Sequence, residues 1–516
     1  MAPSRRPHVV DELVRQPRWF ATLFVVDMWE RFSFYGMQAI LYLYLVASPA
    51  DGGLGMGVGT ASALYGTYMS LVFMAALPGG WVADRVLGAR KATLLGGVLI
   101  AAGHYSFAVP AGGFFYAGMV LIVAGTGLVK PSMSAMIGTL YPGRDDRREA
   151  AFSFFYVSIQ VSALLAPVVT GFLGERVNWH LGFGAAAVGM TMGLLHYVRG
   201  LRRFGEVGRS PAHPAAPEER RRVLRHSLVA LVVVAAVATA LATVAVQSIF
   251  ALLLAVVITV PFVALRRIAR RPGTTTADRS RLRALHLLLL ASAVFWGLHA
   301  QTGSLFTQFV KESVDRSVGG FLVPASWFQA ANPVFLLLLA PVAGWLWLRL
   351  GDRLAAPGKV AGAMGFAGLS LLLMSLAHVL AAGGRLVSPL WVVVAYLLQA
   401  AGELAIGPIV LSLCAAVAPP GHTGRLIGVS WLFAALGVGV LGQGTRLYGP
   451  LPGAVYFLIA GLLAAGIAVA VAVGTPALSR HLAAPVPAGG PAAPAPEPPA
   501  DVIRSATPPR QPTTFD

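Results

Sequence analysis

Long apolar runs succeed one another along the chain, and each is closed by a short polar, Gly- or Pro-containing stretch. Runs of roughly 20 apolar residues suit helices that cross a bilayer, whereas membrane-spanning strands alternate with a period of two. The pattern predicts 14 spanning helices, at about 19–46, 60–83, 91–110, 113–140, 150–174, 180–198, 226–245, 247–265, 284–310, 323–348, 358–382, 388–417, 423–445 and 451–474. The fold class is therefore an all-α integral membrane protein.

The pattern also repeats. Residues 77–97 (LPGGWVADRVLGARKATLLGG) and 340–365 (APVAGWLWLRLGDRLAAPGKVAGAMG) each end one span with Pro, Gly and Trp, turn through a short basic loop and begin another. Such duplication marks two homologous halves about an axis along the membrane normal, with a binding site between them. The organisation reads as a tail at 1–18, a six-helix bundle at 19–200, basic loops with a two-helix insertion at 201–282, a second six-helix bundle at 283–474 and a tail at 475–516. The inserted spans, almost pure Ala, Val and Leu, look structural. The Pro- and Ala-rich last segment has too little apolar content to bury a core and reads as disordered.

Composition agrees with this picture. At 516 residues, 56% hydrophobic and 12% charged, the chain is too apolar for a soluble multidomain protein. A net charge of +18 would suggest nucleic acid if it were spread over a soluble surface. With the N-terminus placed inside, however, only 5 of the 39 Lys and Arg fall in outer loops and 2, Arg31 and Lys130, in spans. That is the positive-inside bias, with both termini cytoplasmic, and it excludes a nucleic-acid partner in favour of lipid headgroups. The first 18 residues are too polar for a cleavable signal, and the one cysteine, Cys414, cannot form an intramolecular disulfide.

A few charges sit inside the apolar runs, where each costs on the order of 3 kcal/mol unless paired or hydrated. In VVDMWERFSFYGMQAILYLYL, residues 25–45, the side chains of Asp27, Glu30, Arg31, Phe34, Tyr35 and Gln38 share one helical face. Lys130 precedes Pro131, which removes a backbone donor and bends or opens the helix beside the ammonium. Glu403 stands near Pro408. An ammonium and a carboxylate on different halves can meet and part as the halves rock, so Lys130 and Glu403 are expected to gate the cytoplasmic side. GVGVLG at 437–442 fits a dinucleotide fingerprint but lies within a span with no strand before it, so close helix packing is the better account. No metal-ligand spacing, nucleophile elbow or phosphate loop is present; neither an enzyme nor a cofactor beyond a coupling proton is expected.

WERFSFYG, GTGLVKP, NWHLGFGAAAVGM, WFQAANPVF and GELAIGP, with the ADRVLGARK loop, resemble the proton-dependent oligopeptide transporter family of the major facilitator superfamily. The likeness runs from about residue 20 to 450, and the two extra central spans resemble those of bacterial members. It implies the major facilitator fold and proton-driven uptake of di- and tripeptides or peptide-like compounds. By the resemblance, Arg31, Tyr35 and Lys130 hold the peptide carboxylate, and Asn332 and Glu403 its amino group. Tyr68, Trp296 and Trp431 line side-chain pockets, and Gln160 takes a place usually held by Asn. Asp84 and Arg90 match the superfamily's loop motif and brace helices. A monomer in the inner membrane is the family expectation.

The departures bear on mechanism. Asp27 stands where the family's first-helix motif begins with Glu, and Phe34 replaces a Tyr. The family's Arg seven residues after Arg31 is Gln38 here, and its acidic partner is Ala300. Losing both members of a pair is far less costly than losing one, which points to an altered mechanism. Asp27, Glu30, Arg31 and Glu403 remain as coupling groups, and His299, beside Ala300, carries an imidazole able to take a proton near neutral pH. An uncoupled facilitator, a carrier of another small organic solute and a substrate sensor that does not translocate remain alternative readings.

Overall fold

The computed structural model describes residues 18–110, 112–139, 145–219, 221–222, 225, 246–271, 273–351, 354–419 and 422–482. The first half comprises α1 (Arg18–Val46), α2 (Val58–Leu87), α3 (Ala89–Ala108), α4 (Gly112–Gly138), α5 (Asp145–Phe172) and α6 (Trp179–Gly200). The inserted helix α7 covers Val246–Ala269, and the other predicted inserted span, 226–245, lies outside the described residues, as do both chain ends. The second half comprises α8 (Thr276–His299), α9 (Ala331–Leu350), α10 (Ala356–Leu380), α11 (Leu390–Val417), α12 (Thr423–Gly444) and α13 (Gly453–Leu482). Among the described residues, 10 helices are long and apolar enough to cross a membrane. Lipid offers no backbone partners, so closing all hydrogen bonds within helices is the only open-ended way to cross it.

Helix ends depart from the apolar runs where polar chemistry takes over. α8 starts at Thr276, before its predicted span, because Thr275 and Asp278 form a reciprocal cap: the Asp278 amide donates to Thr275 Oγ1 (3.1 Å) and the Thr275 amide to Asp278 Oδ2 (3.0 Å). α13 runs through Pro476 to Leu482, so the first residues assigned to the C-terminal tail are helical. A single proline removes one donor without stopping a helix that is packed over several turns. Pro131, expected to bend or open the helix beside Lys130, and Pro408 likewise sit within continuous helices.

α1 packs against α5 and α6, α3 against α4, and α10 against α11 and α13. The two halves cross where α2 meets α12, and α7 lies against both of these helices. Glycines permit the crossing: a Cβ on Gly66 would stand 2.7 Å from the Gly442 Cα. Gly437 similarly packs on the Ala293 backbone of α8, so the GVGVLG segment is a packing surface.

The two ends of the bundle differ. One carries the basic loops, including Arg90, Lys91, Arg202, Arg203 and Arg266–Arg271. There Arg90 donates to the carbonyls of Gly205 (2.7 Å) and Leu201 (2.9 Å), tying α3 to the end of α6. Asp84 is exposed and joins this brace only through its carbonyl, which accepts from the His213 amide, so the bracing expected of the pair falls to Arg90. At the other end, residues 317–322 form a two-stranded antiparallel hairpin turned by Gly319 and Gly320, both at positive φ.

Candidate functional site

That other end is where the halves are sewn together. The Glu175 carboxylate accepts from the amides of Ala325 and Ser326 (2.9 Å each) and from Ser326 Oγ (2.5 Å), capping the turn that leads into α9 from across the bundle. Arg176 donates to the Leu322 carbonyl of the hairpin, and Trp327 Nε1 to the Val168 carbonyl. Deeper in, Tyr42 donates to Gln308 (3.0 Å), Gln329 to the Ala39 carbonyl (3.1 Å) and Ser70 to the Ala435 carbonyl (2.7 Å). Gln38 is not part of this seam; it lies near Tyr65 within its own half, and Ala300 opens a 3-10 turn.

Below the seam, the first half presents a charged cluster on α1. Arg31 Nη2 lies 2.5 Å from Glu30 Oε2 and its Nε 3.8 Å from Asp27 Oδ1, while Ser158 Oγ donates to Asp27 Oδ2 (2.8 Å). All three charged residues are buried. Hydrogen bonds from one face of α5 hold α1 in register: besides Ser158, Ser162 donates to the Met28 carbonyl and Thr170 to that of Gly36. The Phe34 ring lies between two cations, 5.7 Å from the Arg31 guanidinium carbon and 5.2 Å from Lys130 Nζ. Lys130 is also 4.9 Å from the Phe73 ring, which stacks on Trp431. Ring faces attract cations by about 0.5–2 kcal/mol, so aromatic groups substitute here for a missing anion.

The second half presents a carboxylate beside an imidazole. Glu403 Oε2 accepts from Asn332 Nδ2 (3.1 Å) and lies 3.6 Å from His299 Nε2. His299 Nδ1 is 3.2 Å from Gln399 Oε1, and the imidazole stands edge-on to Trp296. Tyr35 and Tyr156 lie within electrostatic reach of Glu403 from the first half, and Gln160 lies beside Tyr156. The Glu403 and His299 side chains are 23% and 16% exposed at a depth where lipid would expel them. They therefore open toward the space between the halves rather than toward lipid, and the hydrogen-bonded seam closes that space at the hairpin end.

The structure thus gathers Asp27, Glu30, Arg31, Tyr35 and Lys130 on one wall and His299, Asn332 and Glu403 on the other. Lys130 and Glu403 are not paired with each other in this state. Tyr68 is 1% exposed, within the core, with its hydroxyl unpartnered, and is no part of the open surface. Ser158, Gln399, Phe73 and Glu175 were not legible as site residues. Ser, Gln and Phe are common in any span, and Glu175 lies at a helix end where an acidic residue is unremarked.

Two bundled halves of membrane-crossing helices, with charged side chains held between them, define a membrane transporter of the major facilitator fold. The chain belongs to the POT family, whose model matches residues 90–448. It is 37% identical over 453 residues to the uncharacterized transporter YclF of Bacillus subtilis, covering 87% of this chain and 91% of that one. It is 36% identical over 435 residues to the peptide transporter YePEPT of Yersinia enterocolitica, covering 80% and 84%. A crystal structure of a peptide transporter POT in complex with sulfate superposes with a TM-score of 0.87 at 36% identity, covering 90% of this chain and 96% of that chain.

Proposed function

We propose that this chain takes up di- and tripeptides, or molecules shaped like them, by alternating access driven by an inward proton gradient. The observation that carries the reading is the charge layout: Arg31 and Lys130 belong to the first half, Glu403 and Asn332 to the second, and Tyr35 is within electrostatic reach of both Arg31 and Glu403, a layout complementary to a zwitterion with a carboxylate at one end and an ammonium at the other. Relatives named as peptide transporters support it. Arg31, Tyr35 and Lys130 receive the carboxylate, Asn332 and Glu403 the amino group, and Gln160, Trp296 and Trp431 border the side chains.

The basic end faces the cytoplasm, with both termini on that side of the inner membrane, and the chain works as a monomer without a cofactor. Closing the cytoplasmic mouth brings Lys130 to Glu403. Opening the outer end breaks the Glu175 cap and its neighbours, which serve where the family uses the Arg and acid replaced by Gln38 and Ala300. Protons act on Asp27, Glu30 and the Glu403–His299 pair, with Arg31 answering the charge of the first two.

The missing outer pair favours a second reading, a facilitator that equilibrates peptide without coupling. Uptake of labelled dialanine into proteoliposomes, with a pH gradient and a membrane potential imposed separately, decides between them. Accumulation above equilibrium on the pH gradient supports coupling, equilibration alone supports the facilitator, and binding without uptake supports a sensor.

A further inference from the structure

The inserted helix α7 carries none of the residues assigned to peptide, yet a second cavity opens at its basic end. Ile268 at the end of α7, Arg271 and Thr274 just beyond it, Asp278 in the first turn of α8, and Pro419 and His422 between α11 and α12 enclose about 230 Å3. Gly273 turns the chain along this wall at a φ of 87°, where glycine alone is unstrained.

The lining has the chemistry of an anion site. Between residues 266 and 283 the chain carries seven arginines and one acid, Asp278. Asp278 Oδ2 is already engaged, accepting from the amide (3.0 Å) and the hydroxyl (2.8 Å) of Thr275 to cap α8. Arg271 Nη1 meets His422 Nε2, and because a guanidinium can only donate, the ring takes the acceptor's part and leaves the positive charge uncancelled. Among the described residues, no carboxylate forms an ion pair with Arg266, Arg267, Arg270 or Arg271. The remaining guanidinium N–H groups of Arg271 suit phosphate oxygens, which they grip two at a time, and Thr274 adds a hydroxyl to the same wall.

The position of the cavity indicates where the phosphate comes from. It lies where a spanning helix reaches its basic end, level with the lipid headgroups, and basic pockets between spanning helices at that level bind anionic headgroups. The turns of α7 leading up to it expose Val256, Ile258, Phe262 and Val263, an apolar track on which acyl chains can lie. We propose that this cavity holds the phosphate diester of an anionic phospholipid, with Arg271 and Thr274 taking its oxygens. α7 packs against α2 of the first half and α12 of the second, and the bound lipid ties its basic end to α8 and to the turn between α11 and α12. The inserted helix is then a lipid-held strut beside the two halves, a role independent of which solute they carry.

The test follows the melting temperature of the purified full chain in detergent as phosphatidylglycerol is added, with phosphatidylcholine of the same acyl chains and inorganic phosphate as separate arms. Phosphatidylglycerol should raise the melting temperature as its concentration rises, since a ligand that binds only the folded chain stabilises it, and phosphatidylcholine should not. Arg271→Gln should shift that response to about tenfold higher lipid concentration, the loss expected of a charge-assisted contact. Arg266→Gln removes an equal charge from an exposed position outside the cavity and should leave the response within about twofold. No response to phosphatidylglycerol, an equal response to phosphatidylcholine, or equal weakening by the two substitutions would overturn the site. A response to inorganic phosphate at the same concentrations, lost in Arg271→Gln, would overturn the lipid assignment in favour of a soluble phosphate. The comparison of the two lipids on the unaltered protein decides the matter even if a variant does not fold, and none of these readings depends on peptide transport.

Discussion

The two walls of the cavity solve the problem of intramembrane charge differently. On the first, Asp27, Glu30 and Arg31 come from one helix, pair at distances down to 2.5 Å and are buried. On the second, His299, Asn332 and Glu403 come from three helices, with Glu403 3.1 Å from Asn332 and 3.6 Å from His299, and stay partly exposed. The first is a fixed, preorganised charge set whose members hold one another in place. The second is adjustable, since its partners move whenever α8, α9 or α11 moves. A wall of the first kind suits recognition of a constant group, and one of the second kind suits a group whose arrival must be sensed.

The largest effect expected from disturbing this contrast is on the first wall. Glu30→Ala leaves the buried Arg31 guanidinium with only its longer contact to Asp27, and losing one partner of a buried pair costs about 3–5 kcal/mol. Thermal unfolding in detergent should show it as a strong drop in melting temperature, whereas Glu403→Gln, on the partly exposed wall, should leave the melting temperature nearly unchanged. Next, Lys130→Gln and Glu403→Gln should each abolish dialanine uptake in proteoliposomes; normal transport by either would sink the assignment of carboxylate and amino ends as well as the gate.

A smaller shift is expected at the outer seam. Glu175→Gln keeps the shape but gives up a charge-assisted cap of roughly 1.5–3 kcal/mol, so the halves should open outward more often. Labelling of a cysteine introduced at Ala39, in a Cys414→Ser background, should speed up from the outside; an unchanged rate would remove Glu175 from the gate. Putting back the missing pair, with Gln38→Arg and Ala300→Glu together, should raise the accumulation ratio on a pH gradient, while either change alone should lower uptake by leaving an unpaired charge. The smallest effect belongs to Phe34→Tyr. Its ring face is what Arg31 and Lys130 use, and tyrosine keeps that face, so uptake should stay within about threefold.

Much of this was legible before any coordinates. The helical class and the two homologous halves follow from the spacing of apolar runs, because lipid imposes one length and one way of satisfying the backbone. The stripe on α1 was legible because three charges at helical spacing inside an apolar run have few explanations. Lys130 and Glu403 stood out for the same reason. Helix ends were less legible: α8 begins where Thr275 and Asp278 cap it, and α13 continues past Pro476, since caps and packing outweigh hydropathy there.

Partnership was decided only in three dimensions. Sequence placed Lys130 and Glu403 as a pair, but in this state aromatic rings hold one while Asn332 and His299 attend the other. Tyr68, expected at the cavity surface, is packed inside the core. Ser158, Gln399 and Glu175 matter through contacts to residues between 100 and 151 positions away, which no local pattern encodes. The chain by itself determined which residues must be buried and which charges must be explained, since both are properties of single side chains against lipid. The tertiary structure alone decided which of those charges meet, because pairing depends on how separate helices are rotated and set against one another.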